Sequence, residues 1–189
     1  KTYLNIIMEN KKIKPVYEVI DDFIPDYTND HIFKILSSNR FPWYISHKVS
    51  DGNDEYWNSQ YFHFLYRNDS NHKSEYYSLV DSIIKKLDPA IILRIKVNST
   101  AYTKDIIKFP PHTDTPYKAK TCVYYVNDNN GYTYFMDGSK VYSKARRLVR
   151  FDSHHRHSGT THSDARYRFV ININYIPKEM ITYDKEVQS

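Results

Sequence analysis

The chain has 189 residues, a net charge of +5 and a pI near 9.0. This length suffices for a sizeable hydrophobic core, so we expect a single domain over 1–189. Its one cysteine, Cys122, excludes a disulfide framework and a cysteine zinc site. No apolar run approaches the ~20 residues that span a membrane. The default expectation is therefore a cytoplasmic protein without membrane contact. The basic residues are scattered along the chain, so the charge permits a nucleic-acid partner but does not indicate one.

The first elements are a strand and a helix. Residues 16–24 are rich in branched and aromatic side chains and predict an opening strand that Pro25 ends. Thr28 or Asn29 is suited to cap a helix that runs to about Ser38.

A second strand and a second helix follow. Residues 41–66 alternate aromatic and polar positions, and within them the run 61–66 predicts a strand. A helix is expected to open at Ser74 and to end before Pro89. Its apolar stripe, which we interpret as core packing, consists of Tyr76, Val80, Ile83, Ile84 and Leu87.

From residue 91 onward, short β-like runs are separated by turn residues such as Pro110, Pro111 and the segment 127–131. The predicted strands are 91–97, 100–108, 120–126, 132–136, 147–151 and 166–175. Many short strands of this kind are typical of a jelly roll. We therefore expect a mainly β fold with flanking helices (α+β): a double-stranded β-helix, cupin-like, over about 91–176, with about two N-terminal helices from 1–90 packed on its major sheet.

A histidine two residues before an aspartate occurs twice, at His112 and Asp114 and again at His162 and Asp164. Alternate residues of a strand point to the same side, so each pair could reach one metal ion. No histidine follows residue 162, so only the first pair can be completed by a later ligand. Two imidazoles and one carboxylate can cap one face of Fe(II) and leave positions open for a chelating co-substrate and O2.

The third ligand has several candidates after the predicted strand 147–151. His157 is one of them, and His154, His155 and His162 compete with it on spacing alone. A cluster of surface histidines without any metal is the simplest alternative.

Several segments agree in order with one known family, and together they decide between these candidates. They are Ala101-Tyr102 ten residues before His112, the triplet 112–114, the strand and turn 121–127, the glycine-led strand 131–135, and the stretch 147–153 that leads to His157. Over about 95–176 the chain resembles the Fe(II)/2-oxoglutarate-dependent dioxygenases, and within them the prolyl-hydroxylase-like branch.

The resemblance implies His112, Asp114 and His157 as the catalytic iron ligands. It implies Fe(II), 2-oxoglutarate and O2 as cofactor and co-substrates, with ascorbate as a further reductant. The expected reaction is hydroxylation of a C–H bond with release of succinate and CO2. Resemblance alone suggests peptidyl proline as the substrate.

The same resemblance implies an arginine that binds the distal carboxylate of 2-oxoglutarate. Arg166 and Arg168 have the same strand parity, and we favour Arg168 because it directly precedes the apolar run 169–171. A guanidinium suits this role because its planar fork binds a carboxylate through two hydrogen bonds. Tyr125 matches a position that offers a phenol to the same carboxylate, and Tyr102 is expected to line the pocket.

The substrate itself is not specified by the sequence. Trp43, Trp57, the run 61–66 and Arg67 are candidates for the substrate-facing surface, with a peptide or small molecule favoured as substrate. Two other functions stay open. One is a non-catalytic jelly-roll module whose metal site is closed by His155 or His162, and the other is an oxygenase that acts on nucleic-acid bases.

Overall fold

The computed structural model describes residues 15–47 and 59–181, which form eleven strands and two α-helices. In chain order these are β1 (Tyr17–Ile20), α1 (Asp26–Leu36), β2 (Tyr44–Ser46), β3 (Gln60–Arg67), β4 (His72–Lys73), α2 (Asp81–Leu87), β5 (Pro89–Thr100), β6 (Lys120–Tyr125), β7 (Tyr132–Phe135), β8 (Lys140–Tyr142), β9 (Arg147–Asp152), β10 (His157–Ser158) and β11 (Arg168–Pro177). Short 3-10 turns precede α2 and follow β11. No helix in the described part of the chain has the length and apolar character needed to cross a membrane.

The strands form two antiparallel sheets. The large sheet has the order β1-β9-β6-β11-β5-β3-β2, with β4 paired to β3, and the small sheet has the order β10-β7-β8. Neighbours such as β6 and β11 are distant in sequence, as in a jelly roll. The predicted fold, a double-stranded β-helix with two helices on its major sheet, is confirmed.

The two faces of the large sheet bury different cores. The outer face packs α1 and α2 against side chains such as Ile95 and Ile171. The inner face packs Val123, Val149 and Val170 against Phe135 of the small sheet. Because successive side chains of a strand alternate between faces, β11 serves both cores, whereas β5 contributes to the outer one. The remaining inner positions of both strands line a cavity.

Several predicted boundaries differ from the structure. Helix α1 begins at Asp26 rather than at Thr28 or Asn29, because the Asn29 amide is buried and donates to the Val126 carbonyl at 3.0 Å instead of capping the helix. β1 ends at Ile20, since Asp22 adopts a left-handed turn at φ 52°.

Two predicted segments are less regular than expected. The helix predicted from Ser74 is a 3-10 turn over Tyr77–Val80 followed by α2. The strand predicted at 100–108 is wrong, because β5 ends at Thr100 and the following segment makes only isolated bridges. Strands β8 and β10 were not predicted, since three and two residues carry too little pattern to be recognised.

Cys122 provides a test of this packing. Its side chain has no exposed surface, and burial raises the pKa of its thiol to about 12. Since thiolates are the reactive species, we expect no reaction with Ellman's reagent in the native protein and release of one equivalent after unfolding in guanidinium chloride. Rapid labelling without denaturant would contradict the placement of β6 beneath the helices.

Candidate metal centre and the adjoining cavity

Three candidate metal ligands meet at one end of the space between the sheets. The ligand atoms of His112, Asp114 and His157 all lie within 4.8 Å of one another. His112 Nε2 is 3.7 Å from Asp114 Oδ1, and His157 Nε2 is 3.6 Å from Asp114 Oδ2. The backbone fixes this arrangement, because the N–H of each histidine donates to the carbonyl of the other, at 2.9 and 3.0 Å.

His157 is held in the form that binds metal. Its Nδ1 lies 3.0 Å from the carbonyl oxygen of His155, which favours a hydrogen on Nδ1 and leaves the Nε2 lone pair directed at the cluster. The side chain is 5% exposed and its ring packs against Phe151 at 4.5 Å. Burial lowers the pKa of His157, so the imidazole is neutral near pH 7.

Asp114 is oriented by three donors from three strands. Its Oδ2 accepts from Thr121 Oγ1 at 2.9 Å and from Asn174 Nδ2 at 3.2 Å, while Oδ1 accepts from Arg94 Nη2 at 3.1 Å. Burial alone would raise the pKa of Asp114, but the neighbouring imidazoles of His112 and His157 and the charge of Arg94 lower it well below its usual range. The carboxylate is therefore ionised and fixed before any metal arrives.

The cluster opens into a cavity of about 170 Å³ between the sheets. The cavity is lined by inner-face residues of β5 and β11, and also by Val123, Thr133 and Gly159. Three lining side-chain atoms are buried and make no hydrogen bond within the described part of the chain. These atoms are Asn98 Oδ1, Thr100 Oγ1 and Asn172 Oδ1. Buried polar groups are normally satisfied, so this lining is suited to a polar ligand.

Arg168 also lines the cavity, on β11 next to Thr100 of β5. The residue is only 3% exposed, and its Nε donates to Ser143 Oγ at 3.2 Å. No carboxylate among the described residues lies within ion-pair distance of its guanidinium, and burial lowers the pKa of Arg168. Burying a charge without a counter-ion costs free energy, so an anion that binds next to Arg168 would be stabilised.

Tyr125 lies behind this arginine rather than in the cavity wall. Its ring is fully buried, with the Arg168 guanidinium carbon 5.9 Å from the ring centre. The phenol oxygen is 2.7 Å from Thr133 Oγ1 and 3.2 Å from the Val141 carbonyl oxygen. Thr133 lines the cavity and Tyr125 does not, so the phenol reaches the cavity wall through its hydrogen bond to Thr133.

The structure does not bring Tyr102 and Arg166 into this cavity. Tyr102 is 59% exposed and its ring meets His162 edge-on at 6.4 Å. Arg166 is exposed and borders a separate cleft beside Trp43. Strand parity placed Arg166 with Arg168, but β11 begins only at Arg168, so the parity rule does not extend to it.

The competing histidines lie elsewhere. His154 and His155 form a second, more exposed group with Asp152. His162 is fully buried, beside Tyr102. Within residues 15–47 and 59–181, no fourth histidine, cysteine or carboxylate joins the cluster of His112, Asp114 and His157.

Several residues of the site were not anticipated from the sequence. The inner positions of β5 are Arg94, Lys96, Asn98 and Thr100, and those of β11 include Asn172 and Asn174. The sequence does contain a pattern that could have identified them, because polar residues recur at alternate positions of β5 and β11 among branched, apolar ones. A strand buried between two apolar layers usually has a continuous apolar sequence, so polar residues at alternate positions indicate that one of its faces lines a polar space.

Comparison with solved structures agrees with this architecture. The chain is similar to a prolyl hydroxylase from Trichoplax adhaerens in complex with a peptide fragment of hypoxia inducible factor (14% identity, 87% of this chain and 85% of that one, TM-score 0.54). It is also similar to a viral collagen prolyl hydroxylase from Paramecium Bursaria Chlorella virus-1 (12% identity, 87% of this chain and 97% of that one, TM-score 0.56). A third similar structure is an oxidoreductase of the 2OG-Fe(II) oxygenase family from Burkholderia pseudomallei (11% identity, 85% of this chain and 85% of that one, TM-score 0.61). The chain has the fold of the 2-oxoglutarate/Fe(II) oxygenases. A scan against protein-family models and a search of curated proteins find no match, so at these identities the likeness establishes the fold.

The part of the chain that aligns with these structures is longer than the segment whose sequence resembles the family. The predicted resemblance covered about 95–176, and the aligned share of the chain is larger, at 85–87% in these three comparisons. Helices α1 and α2 support the outer face of the sheet whose inner face carries the cavity.

Proposed function

We propose that the protein is an Fe(II)- and 2-oxoglutarate-dependent oxygenase that hydroxylates a C–H bond of its substrate. One observation carries the proposal: an open group of two imidazoles and one carboxylate shares a cavity with a buried arginine that has no carboxylate partner in the described residues. The first feature suits Fe(II), and the second suits a dicarboxylate. Neither feature alone would distinguish an oxygenase from a general metal or anion site.

The residues fit both groups. His112, Asp114 and His157 would hold Fe(II), and Arg168 would bind the distal carboxylate of 2-oxoglutarate. When bound, the iron supplies oxidative chemistry with O2 and 2-oxoglutarate, which yields succinate, CO2 and an oxidised substrate. The unpaired oxygens of Asn98, Thr100 and Asn172 and the hydroxyl of Thr133 give the cavity its polar lining, while Tyr125 positions that hydroxyl.

A structural metal site is the less favoured alternative. Structural zinc is usually closed by four protein ligands, and the described residues offer three at this position. A structural site would also have no use for Arg168, whose burial without a counter-ion costs stability. The open coordination face and the arginine both favour a catalytic metal site over a structural one.

A peptide or small molecule is proposed as the substrate, with peptidyl proline as the first candidate. Its support comes from the neighbours, since one is solved with a peptide fragment and another is a collagen prolyl hydroxylase. The test incubates the iron-loaded protein with 2-oxoglutarate, O2, ascorbate and proline-containing peptides, and measures both succinate and a gain of one oxygen atom by mass spectrometry. Asp114→Ala is the control for uncatalysed oxidation.

Gly131 offers a separate test of the arginine's role. A Cβ at this position would lie 2.6 Å from both Cδ and Nε of Arg168, whereas one at Gly159 would lie 3.7 Å from Arg168 Nη1, an ordinary contact. Because Arg168 is buried and cannot move freely, we expect Gly131→Ala to weaken 2-oxoglutarate binding by about tenfold or more, as for a displaced charge-assisted pair. Gly159→Ala also adds a methyl group at the cavity wall but leaves Arg168 in place, so it should have the smaller effect. Equal effects of both substitutions in calorimetric titrations would contradict the placement of the co-substrate.

A further inference from the structure

Lys96 is a cation of the cavity that the proposed oxygenase chemistry does not use. It lies on β5 between Ile95 and Val97, both of which are fully buried in the outer core, so its side chain belongs to the inner face. Its Nζ lies 4.9 Å from the ring centre of Phe62 and 5.7 Å from that of Phe64, both on β3. The ammonium group is thus held against two aromatic rings at the wall of the cavity.

Nothing of opposite charge among the described residues pairs with this ammonium group. No carboxylate there lies within ion-pair distance of Nζ. Burial and the neighbouring charge of Arg94 lower the pKa of Lys96 to about 8, with Asp114 acting weakly in the other direction. Aromatic faces attract a cation but do not replace a counter-ion.

The charge balance of the cavity also favours an additional anion. Its lining contains three cations, Arg94, Lys96 and Arg168, and one carboxylate, Asp114. Arg94 already contacts that carboxylate at 3.1 Å. A bound divalent metal would add two positive charges, and the two carboxylates of 2-oxoglutarate would be used by the metal and by Arg168. Lys96 would still have no partner.

The strand register separates Lys96 from the arginine end of the cavity. On β5, Thr100 pairs with Arg168, Lys96 pairs with Asn172, and Arg94 pairs with Asn174. At about 3.3 Å per residue, Lys96 is roughly 13 Å along the strand from Thr100 and roughly 7 Å from Arg94. Lys96 therefore lies nearer to the metal ligands than to the proposed distal carboxylate site.

We infer that Lys96, flanked by Phe62, Phe64 and Arg94, forms a subsite that binds a carboxylate of the substrate next to the carbon that is oxidised. This inference rests on the proposed function and narrows its substrate class to carboxylate-bearing molecules. The carboxylate can belong to an acidic side chain of a peptide or to a small free acid, and both present the same group to the lysine. Aliphatic or aromatic substrate atoms would pack on the rings of Phe62 and Phe64.

The experiment first saturates the whole protein with Ni(II) and 2-oxoglutarate, so that the co-substrate position is filled. Calorimetric titrations then use four probes: a deca-glutamate peptide, a deca-glutamine peptide of equal length, N-acetylglutamate, and a deoxythymidine decamer as a phosphate polymer. The same titrations are made with Lys96→Met, which keeps an apolar chain on the rings, and with Lys96→Arg, which restores the charge. Lys140→Met is the matched control, because Lys140 Nζ lies 4.9 Å over the ring of Tyr132 outside the cavity.

We expect wild type to bind deca-glutamate or N-acetylglutamate in preference to deca-glutamine, and the better of the two identifies the source of the carboxylate. Lys96→Met should weaken that binding by about tenfold or more, since a charge-assisted hydrogen bond is lost. Lys96→Arg should restore most of it, and Lys140→Met should leave it unchanged. The Kd of 2-oxoglutarate should stay within about twofold in all three variants.

Three results would overturn the subsite. The first is the absence of carboxylate binding to a wild type that does bind Ni(II) and 2-oxoglutarate. The second is equal or tighter Lys96-dependent binding of the deoxythymidine decamer, which would point to phosphate instead. The third is a large loss of 2-oxoglutarate affinity in Lys96→Met, which would make the lysine part of the co-substrate site. Failure of the proposed function is distinct, because wild type would then fail to bind 2-oxoglutarate before any probe is added.

Discussion

Replacing Arg168 with methionine is expected to weaken 2-oxoglutarate binding by roughly 100-fold or more, while the metal affinity changes little. Arg168 is 3% exposed, so its pair with a carboxylate would be shielded from water. Removing one partner of such a buried pair typically costs about 3–5 kcal/mol, and each 1.4 kcal/mol is about a tenfold change in affinity. Isothermal titration of the Mn(II)-loaded protein with 2-oxoglutarate measures the effect.

The same substitution should leave the stability of the ligand-free protein unchanged or raise it. Arg168 is buried without a carboxylate partner in the described residues, and an apolar side chain of similar length removes that cost. 2-Oxoglutarate should raise the melting temperature of wild type by mass action, and this increase should disappear in the variant.

Arg166→Met is the control for this prediction. The side chain of Arg166 is exposed and borders a different cleft, so 2-oxoglutarate affinity should stay within about twofold of wild type. A strong loss in Arg166→Met with none in Arg168→Met would reverse the assignment of the two arginines and contradict the cavity described here.

Asp114→Asn is expected to lower Fe(II) affinity by more than about 100-fold, a larger effect than the loss of about 10- to 100-fold that is typical for an outer-shell partner. The amide keeps the size of the carboxylate, and its oxygen can still accept from Arg94, so the fold should persist. What disappears is the negative charge between the two histidines, at 3.6 and 3.7 Å from their Nε2 atoms. Competition with a chromophoric chelator under anaerobic conditions provides the measurement.

Asp152→Asn is the matched control. Asp152 belongs to the second group with His154 and His155 and is paired with Lys120 at 2.5 Å. We expect this variant to keep the high-affinity Fe(II) site. If Asp152→Asn loses that site and Asp114→Asn keeps it, the metal centre lies in the turn after β9 and our assignment is wrong.

The sequence was sufficient to predict the fold because its signals are local and repeated. Short branched and aromatic runs separated by turn residues predicted the strands, and the strand pairing in the structure agrees with a jelly roll. It was also sufficient to nominate His112, Asp114, His157 and Arg168, because their order along the chain resembled a known family. The structure places these four side chains around a single cavity.

The remaining contributors depend on which strands become neighbours, and local patterns do not contain that information. Arg94, Thr121 and Asn174 meet at Asp114 because β5, β11 and β6 are adjacent in the large sheet. Tyr102 illustrates the opposite case. It occupies the expected position in sequence, but β5 has ended two residues earlier, so its side chain is exposed.

The described residues that the sequence suggested for the substrate-facing surface lie on different sides of the large sheet. Trp43 donates from Nε1 to the Leu36 carbonyl at 3.1 Å and stacks on Phe169 at 5.5 Å, which makes it part of the packing on the helical side. Phe62 and Phe64 face Lys96 instead. Trp57 lies outside the described residues. Alternation along β3 therefore decides which aromatic residues can meet a substrate.

The most direct measurement of the central claim is the visible absorption spectrum of the protein under anaerobic conditions after addition of Fe(II) and then 2-oxoglutarate. We expect a charge-transfer band that requires both additions, disappears in His112→Ala, and needs a far higher 2-oxoglutarate concentration in Arg168→Met. A wild-type protein that binds Fe(II) tightly but develops no band at saturating 2-oxoglutarate would contradict the account, because the metal would then have no open positions for the co-substrate.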